Sequence, residues 1–474
     1  MVFENMDPAS SLSETRRPET TAAHAIPRVE RAASEHCTAR SIGCELKPTP
    51  RGSVAASDRM RQSMFSLSRR RFLGALSAAT SLAGFDALAA PERGHARITD
   101  IHAMVLQGLR TYTFVKVVTD AGVSGIGEGY GSPGVGIRAG VLELRPYFLG
   151  KDPLEIEALY NGLGNRIDGS AHMLLRAVSA IEMALWDLAG KLLDQPAATL
   201  LGGRYRDRVR VYRDEGPVNM LDRASCNEWA DKMKSDPGGW TAFRVSPPRG
   251  APKIDTARDP SNRVLTSREL REIRQAFEYC RDAIGWDRDL IVHCEGEYDV
   301  RAAMQLAEAL DPVKPLWLED PLPPDFSPGW VRLTQASKVP IGTGENLARR
   351  QGFKDFIVNQ GCDVVQLDIR NAGGLLESKK ISSLAELFDL PMAAHNTGSA
   401  LSTMATVQWA ASVRDFLAAE TVVGRRNWMD DVIVHEGPLV TDGYIAVPRK
   451  PGLGVELNPD VVKANLAEGE KYWD

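Results

Sequence analysis

The chain has 474 residues, of which 43% are apolar and 25% charged, values typical of a globular protein long enough for more than one domain. Its net charge of −5 and pI of about 6.0 argue against the broad basic surface with which proteins bind nucleic acid or anionic membranes, so neither partner is expected. The six cysteines form no CxxC pair, which argues against a zinc ribbon.

The N-terminal region, 1–67, is rich in Ser, Ala, Arg and Pro and has no sustained apolar periodicity. A segment of this composition buries too little apolar surface to offset the entropy lost on folding. We expect 1–67 to be disordered, or to be a non-native extension added by a mis-set start codon, with Met60 and Met64 as alternative starts.

The next segment, 68–90, has the pattern of a twin-arginine export signal. Ser68-Arg-Arg-Arg-Phe-Leu73 precedes a mildly apolar run that ends in the small residues Ala87-Leu-Ala-Ala90. The alternative is a basic cluster before a short core helix. The run is short and diluted with Gly and Ser, so we expect cleavage rather than anchoring, and a periplasmic or otherwise exported protein with no membrane contact afterwards.

An α+β domain is predicted over 98–208. Three β-rich runs, with turn residues between the second and third, predict an antiparallel meander over Ile98–Leu106, Thr113–Thr119 and Ser124–Gly127. The Gly-rich stretch Gly129–Gly136 follows as a loop. Apolar residues at helical spacing then predict helices at about Ile137–Leu149, Pro153–Asn161 and His172–Leu193.

From 209 to 424 short β-rich runs alternate with helical stretches. Seven or eight such units exceed what an open sheet usually holds in this length, and they favour a (β/α) TIM-like barrel. The segment 425–474 contains no further unit, and we expect it to return to the first domain. After Val209, strands are predicted at Phe243–Val245, Leu290–Val292, Leu316–Leu318, Pro340–Ile341, Val364–Leu367, Met392–Ala394 and Phe416–Ala419.

Acidic and imidazole side chains end three consecutive barrel strands at equal spacing. His293, Glu319 and Glu345 are each 26 residues apart, about one strand–helix unit, so they converge at the C-terminal face where barrel enzymes carry their catalytic groups. Two carboxylates brought together repel by several kcal/mol unless a cation lies between them. The spacing therefore predicts a metal site, although either glutamate alone is equally compatible with a helix cap or an Arg pair.

A second pair, Asp368 and His395, lies 27 residues apart on the following strand ends. A carboxylate bonded to one imidazole nitrogen fixes the tautomer and raises the basicity of the other nitrogen. This pair predicts a general base. The alternative is a buried histidine with a purely structural role.

The chain carries the motifs Trp317-Leu-Glu-Asp-Pro321, Gly342-Thr-Gly-Glu345, Gln366–Gly374, Ala394-His395, Ala180–Gly190, Leu201-Gly-Gly203 and Pro451–Val455. Together with Glu420 these motifs resemble the mandelate racemase branch of the enolase superfamily over roughly 98–460. The resemblance implies a capping domain on a barrel, and a Mg²⁺ ion that stabilises an enediolate after proton abstraction α to a carboxylate. It further implies Glu319 and Glu345 as ligands, His395 with Asp368 as base, and Glu420 as hydrogen-bond partner of the substrate.

The second barrel strand departs from the family pattern. Where relatives often carry Lys-x-Lys, this chain has Arg244 and Ser246, so the usual lysine base is missing. Asp368 likewise stands where cycloisomerases and dipeptide epimerases have a Lys. The departures favour a reaction that needs proton abstraction on one face of the substrate only. Such a reaction is the dehydration of a sugar acid by a lyase resembling galactonate-type dehydratases. Arg244 is expected either to bind the substrate carboxylate or to form a salt bridge with Glu319 or Asp320.

The third strand also departs from the pattern, with His293 in the usual place of an Asp ligand and Glu295 in the place of an acid. Strand alternation puts both on one face. Either Glu295 is the third metal ligand and His293 the leaving-group acid, or His293 is the ligand. In the second case Mn²⁺ or another transition metal suits the site better than Mg²⁺.

Two further hypotheses compete with the dehydratase. One is a racemase or epimerase of a hydroxy acid that uses Glu295 or His293 on the opposite face of the substrate. The other is an exported metal- or sugar-acid-binding protein without catalysis. The family resemblance also leads us to expect a homo-oligomer.

Overall fold

The computed structural model describes residues 84–131, 136–164, 172–248, 262–424 and 428–473. The predicted extension 1–67 and most of the predicted signal segment 68–90 lie outside these ranges. In the remainder of that segment, 84–89 is helical, and Phe85 packs against Trp186 with ring centroids 5.2 Å apart. No helix of the described ranges is long and apolar enough to cross a bilayer.

The predicted antiparallel meander forms the sheet of the first domain, which we call the cap. Strand β2 pairs with both β1 and β3, and Gly122 supplies the positive φ of 73° in the β2–β3 turn. The predicted second helix begins at Ile156 rather than Pro153. The cap elements are β1 (Ile98–Gln107), β2 (Thr111–Thr119), β3 (Ser124–Gly129), α1 (Ile137–Phe148), α2 (Ile156–Asn161), α3 (His172–Leu192) and α4 (Ala197–Leu200).

Strand β3 packs directly on the backbone of helix α3. A Cβ atom at Gly125 would collide with the carbonyl oxygen of Ala184, and one at Gly127 with that of Ala180. Only glycine permits so close an approach. The spacing of these glycines therefore sets the position of β3 against α3.

The predicted barrel is confirmed. Eight parallel strands pair in chain order, and the last, β11, pairs with the first, β4, to close the cylinder. These strands are β4 (Arg208–Asp214), β5 (Ala242–Val245), β6 (Asp289–His293), β7 (Trp317–Glu319), β8 (Ile341–Thr343), β9 (Val364–Leu367), β10 (Met392–Ala394) and β11 (Phe416–Glu420).

Helices cover the outside of the cylinder, and a separate small core fills its interior. That interior core includes Tyr212, Ile291 and Trp317, all fully buried. The outer helices are α5 (Arg223–Ser235), α6 (Ser267–Ile284), α7 (Val300–Leu310), α8 (Pro328–Ala336), α9 (Arg349–Val358), α10 (Ile369–Ala372), α11 (Leu375–Glu386) and α12 (Ala400–Ala411).

The C-terminal segment contacts both domains. Its strand β12 (Tyr444–Ala446) pairs antiparallel with β4 of the barrel. Leu453 N donates to Asp187 of the cap at 2.8 Å, and Ala467 N donates to the Val105 carbonyl at 2.9 Å. Two short helices, α13 (Trp428–Asp431) and α14 (Pro459–Ala464), complete it.

Candidate active site

Three of the predicted residues meet at the C-terminal ends of adjacent strands. His293 and Glu319 are register partners at the ends of β6 and β7, and Glu345 follows β8 by two residues. One ligand atom from each of the three lies within 4.8 Å of the others. The 26-residue spacing therefore corresponds to a real convergence of side chains.

The donors fit a divalent cation. His293 Nε2 and Glu345 Oε2 are buried, yet neither has a hydrogen-bond partner among the described residues. Buried polar atoms rarely lack a hydrogen bond, and two such atoms that converge are a reason to expect a ligand between them. Burial and the positive charge of Arg244 lower the pKa of His293 to about 3, which keeps its imidazole in the neutral form that binds metals.

Arg244 contacts two members of this group, Glu319 and Glu345, and is almost fully buried. Its Nη1 donates to Glu319 Oε1 at 2.6 Å, and its Nη2 donates to Glu420 Oε1 at 2.8 Å. Burial lowers the pKa of Arg244, but the charges of Glu420 and Glu319 outweigh this effect and raise it well above the usual value. Of the two predicted interpretations, the structure shows the salt bridge to Glu319. Glu420 itself is buried at the end of β11.

The predicted general base, His395, and its carboxylate partner, Asp368, also lie together. His395 Nδ1 lies 2.9 Å from Asp368 Oδ2, so the other ring nitrogen, Nε2, faces Glu345 at 3.3 Å and Glu420 at 3.6 Å. Burial lowers the pKa of His395, but Glu345, Glu420 and Asp368 raise it to a net value of about 9. The pKa of Asp368 is depressed despite its burial, because Arg370 and His395 stabilise its charge.

Glu295 is not brought into the three-residue group. Strand β6 ends at His293, and Glu295 adopts a left-handed conformation with φ 50° and an exposed side chain. The alternation argument, which placed Glu295 on the face of His293, is therefore wrong because the chain is no longer extended there. Glu295 remains close enough for its charge to raise the pKa of His293.

Three residues without an assigned role from sequence complete the surroundings of the base. Arg370 pairs with Asp368, the cap residue Glu128 contacts Arg370, and the ring of Tyr130 lies 6.1 Å from that of His395. Arg370 lies two residues after Asp368, inside the Gln366–Gly374 motif. This position is the one sequence signal that it belongs to the site. Glu128 and Tyr130 lie at the end of a cap strand, and nothing in the local sequence indicates that they reach the barrel.

Two family models match the chain. Residues 97–202 match the N-terminal domain of mandelate racemase/muconate lactonizing enzymes, and residues 228–461 match the enolase C-terminal domain-like model. The matches cover the cap and most of the barrel. They agree with the division into cap and barrel seen in the strand topology.

Individual relatives extend over nearly the same region. A D-xylonate dehydratase of Haloferax volcanii is 35% identical over 383 residues, 80% of this chain and 91% of that protein. A D-galactonate dehydratase of Xanthomonas campestris pv. campestris is 31% identical over 77% of this chain and 93% of its own length. A mandelate racemase/muconate lactonizing enzyme-like protein from Rubrobacter xylanophilus superposes with a TM-score of 0.74 at 29% identity, over 80% of this chain and 99% of its own.

Proposed function

The chain belongs to the mandelate racemase/muconate lactonizing enzyme family of the enolase superfamily, and we propose that it is a metal-dependent dehydratase of sugar acids. The observation that carries the proposal is the placement of His395 Nε2 beside the three converging donor groups. The dehydratase relatives, which act on xylonate and galactonate, support the substrate class.

In the proposed reaction His395 removes the proton α to the substrate carboxylate. Asp368 accepts the hydrogen bond of Nδ1 and so directs Nε2 into the site. Glu345, one of the carboxylates that raise the pKa of His395 to about 9, is a proposed metal ligand, so a bound cation would offset its charge and favour the neutral imidazole that acts as base. A positioned base of this kind accelerates proton transfer by about 10² to 10⁴. Loss of the hydroxyl at the β carbon then gives a 2-keto-3-deoxy acid after tautomerisation.

We assign the metal to His293, Glu319 and Glu345. When bound, the cation supplies positive charge that offsets the carboxylates and stabilises the negative charge developing on the substrate. The family resemblance favours Mg²⁺. The imidazole donor favours Mn²⁺ or another transition metal, since Mg²⁺ prefers an all-oxygen shell.

The remaining polar groups receive supporting roles. The charge of Arg244 neutralises those of Glu319 and Glu420. Glu420 Oε2 lies 3.6 Å from His395 Nε2, on the side of the imidazole that acts as base. With His293 assigned to the metal, we assign Glu295, which lies near enough for its charge to act on His293, as the acid that protonates the departing hydroxyl. A racemase would need a second proton-transfer group opposite His395. On the strand where relatives often carry Lys-x-Lys, Ser246 is a poor proton-transfer group and Arg244 is held in its ion pairs.

The test is incubation of the Mg²⁺- and Mn²⁺-loaded protein with a panel of aldonates and uronate-derived acids. We expect 2-keto-3-deoxy product from at least one acid, and none from the His395→Asn variant. No turnover of any acid by the metal-loaded wild type would contradict the proposal. Exchange of the α proton without net loss of water would instead indicate a racemase.

We further propose that the protein is exported through the twin-arginine signal at 68–90 and acts as a homo-oligomer. The signal pattern supports the first point, and the family resemblance supports the second. Export of a folded protein suits an enzyme that acquires its metal before it crosses the membrane.

A further inference from the structure

A buried chain of charged groups runs from the cap to the proposed base. It consists of Glu128 at the end of β3, Arg370 in α10, Asp368 and His395. All four side chains are at most 5% exposed. Each group contacts the next, so a carboxylate of the cap is linked to the imidazole through continuous contacts.

Arg370 holds Asp368 from one side. Its Nε donates to Asp368 Oδ1 at 3.1 Å and its Nη2 to Oδ2 at 2.7 Å, a two-point contact that fixes the plane of the carboxylate. The backbone N–H of Arg370 also donates to Oδ1, at 2.8 Å. With one side of the carboxylate held in this way, Oδ2 is presented to His395 Nδ1.

Glu128 links this arrangement to the cap. Its Oε1 lies 3.5 Å from Arg370 Nη1 and accepts the N–H of Ser399 at 3.1 Å. Its Oε2 accepts the Ser399 hydroxyl at 2.6 Å and the N–H of Ser402 at 3.2 Å. The Glu128 carboxylate therefore accepts hydrogen bonds from the free N–H groups at the N-terminus of barrel helix α12, and it also contacts the Arg370 guanidinium.

The fit around this contact is close. A Cβ atom at Gly398 would lie 2.5 Å from Arg370 Nη1 and 2.7 Å from Glu128 Oε1, so the loop after β10 leaves room for these two groups and no more. Tyr130 covers Arg370 from the cap side, with the guanidinium 5.0 Å from its ring centroid.

We infer that Glu128 and Arg370 are positioning residues that couple docking of the cap to the orientation of the His395–Asp368 pair. The inference rests on the proposed function only in taking His395 as the base. Without Glu128, Arg370 loses one of two carboxylates that fix it. Without Arg370, Asp368 is free to rotate and His395 Nε2 is no longer held toward the metal-binding group.

A matched control separates this role from simple docking of the domains. Glu182 is a second buried carboxylate of the cap, and it accepts the N–H groups of Leu375 and Leu376 at the start of barrel helix α11. It has the same kind of contact as Glu128 but, within the described residues, touches none of Asp368, Arg370 and His395. Glu182→Gln therefore reports the effect of a weakened cap–barrel contact alone.

The experiment compares Glu128→Gln, Arg370→Gln, Arg370→Lys and Glu182→Gln in the full-length protein. We expect the first two to lower kcat about tenfold to a hundredfold, with KM within about threefold, as for other groups that orient a reacting residue. Arg370→Lys should recover part of the loss by restoring the charge without the two-point contact. Glu182→Gln should stay within about twofold of wild type.

A spectroscopic readout tests the same inference without turnover. The His395 Nδ1 proton, bonded to Asp368, should give a low-field NMR signal in the Mg²⁺-loaded protein, identified by its absence in His395→Asn. We expect it to shift or broaden in Glu128→Gln and Arg370→Gln and to be unchanged in Glu182→Gln. An unchanged signal and kcat in Glu128→Gln, or equal losses in Glu128→Gln and Glu182→Gln, would overturn the inference. Absence of turnover in wild type contradicts the proposed function but leaves the spectroscopic comparison valid.

Discussion

At the scale of single residues, the most informative feature is an exchange of chemical types at the end of β6. An imidazole stands where the family pattern has a carboxylate, and the structure places its Nε2 3.7 Å from oxygens of both Glu319 and Glu345. Register and spacing were enough to predict that these three residues meet. The position of the Glu295 side chain could not be predicted from strand alternation, because Glu295 itself adopts a left-handed conformation just after the strand ends.

Replacing the imidazole tests its assignment to the metal. We expect His293→Asp to bind Mg²⁺ at least about tenfold more tightly, since an oxygen donor replaces nitrogen, and to lose preference for Mn²⁺. Isothermal titration of metal-free protein with each cation measures this change directly. Equal affinities in wild type and variant, for both cations, would remove His293 from the ligand set.

The role of Glu295 as acid makes a separate prediction. Because His395 and the metal ligands are untouched, Glu295→Gln should retain α-proton exchange with solvent while net dehydration falls by about 10² or more. Mass spectrometry of substrate and product in D₂O distinguishes the two steps. Parallel loss of exchange and dehydration would assign Glu295 to an earlier step.

At the scale of elements, the cap depends on one close contact between a strand and a helix. Glycines alternate along β3 where it crosses α3, and Glu128 extends from this strand into the barrel. The three cap strands were predictable from their β-rich runs. The contact of β3 with α3 was not predictable, because a glycine in a strand indicates a close approach of another element but does not identify that element.

Adding one methyl group at this contact should be costly. We expect Gly127→Ala to lower the free energy of unfolding by about 2 kcal/mol or more, since the Ala180 carbonyl would have to move. Gly352→Ala in α9 is the control, because a Cβ there meets only Leu347 Cβ, at an ordinary contact distance of 3.8 Å. Chemical denaturation of both variants measures the difference, and equal stabilities would mean that β3 and α3 separate easily.

At the scale of the whole molecule, sequence periodicity was sufficient to predict an α+β cap followed by a closed barrel. Each barrel strand is a short β-rich run between helices, and seven or eight such units favour closure into a barrel over an open sheet. Contacts between domains were harder to foresee. Glu128 with Arg370, and Leu453 with Asp187, join residues more than 240 positions apart, and no local pattern encodes such pairs.

The predicted export signal also belongs to this scale. Replacing Arg69 and Arg70 by lysine should leave the protein unprocessed in the cytoplasmic fraction, because the twin-arginine pathway reads the guanidinium pair. Fractionation and intact-mass analysis of wild type and variant report both location and cleavage. Identical fractionation of the two proteins would exclude this route.

The central claim is that His395 abstracts the α proton of a sugar acid beside a metal bound by His293, Glu319 and Glu345. Its most direct measurement is solvent deuterium incorporation at the α carbon of an acid that the metal-loaded wild type dehydrates. We expect His395→Asn to lose at least about 10² in the rate of incorporation while its metal affinity remains within a few fold. Undiminished incorporation by that variant would contradict the claim.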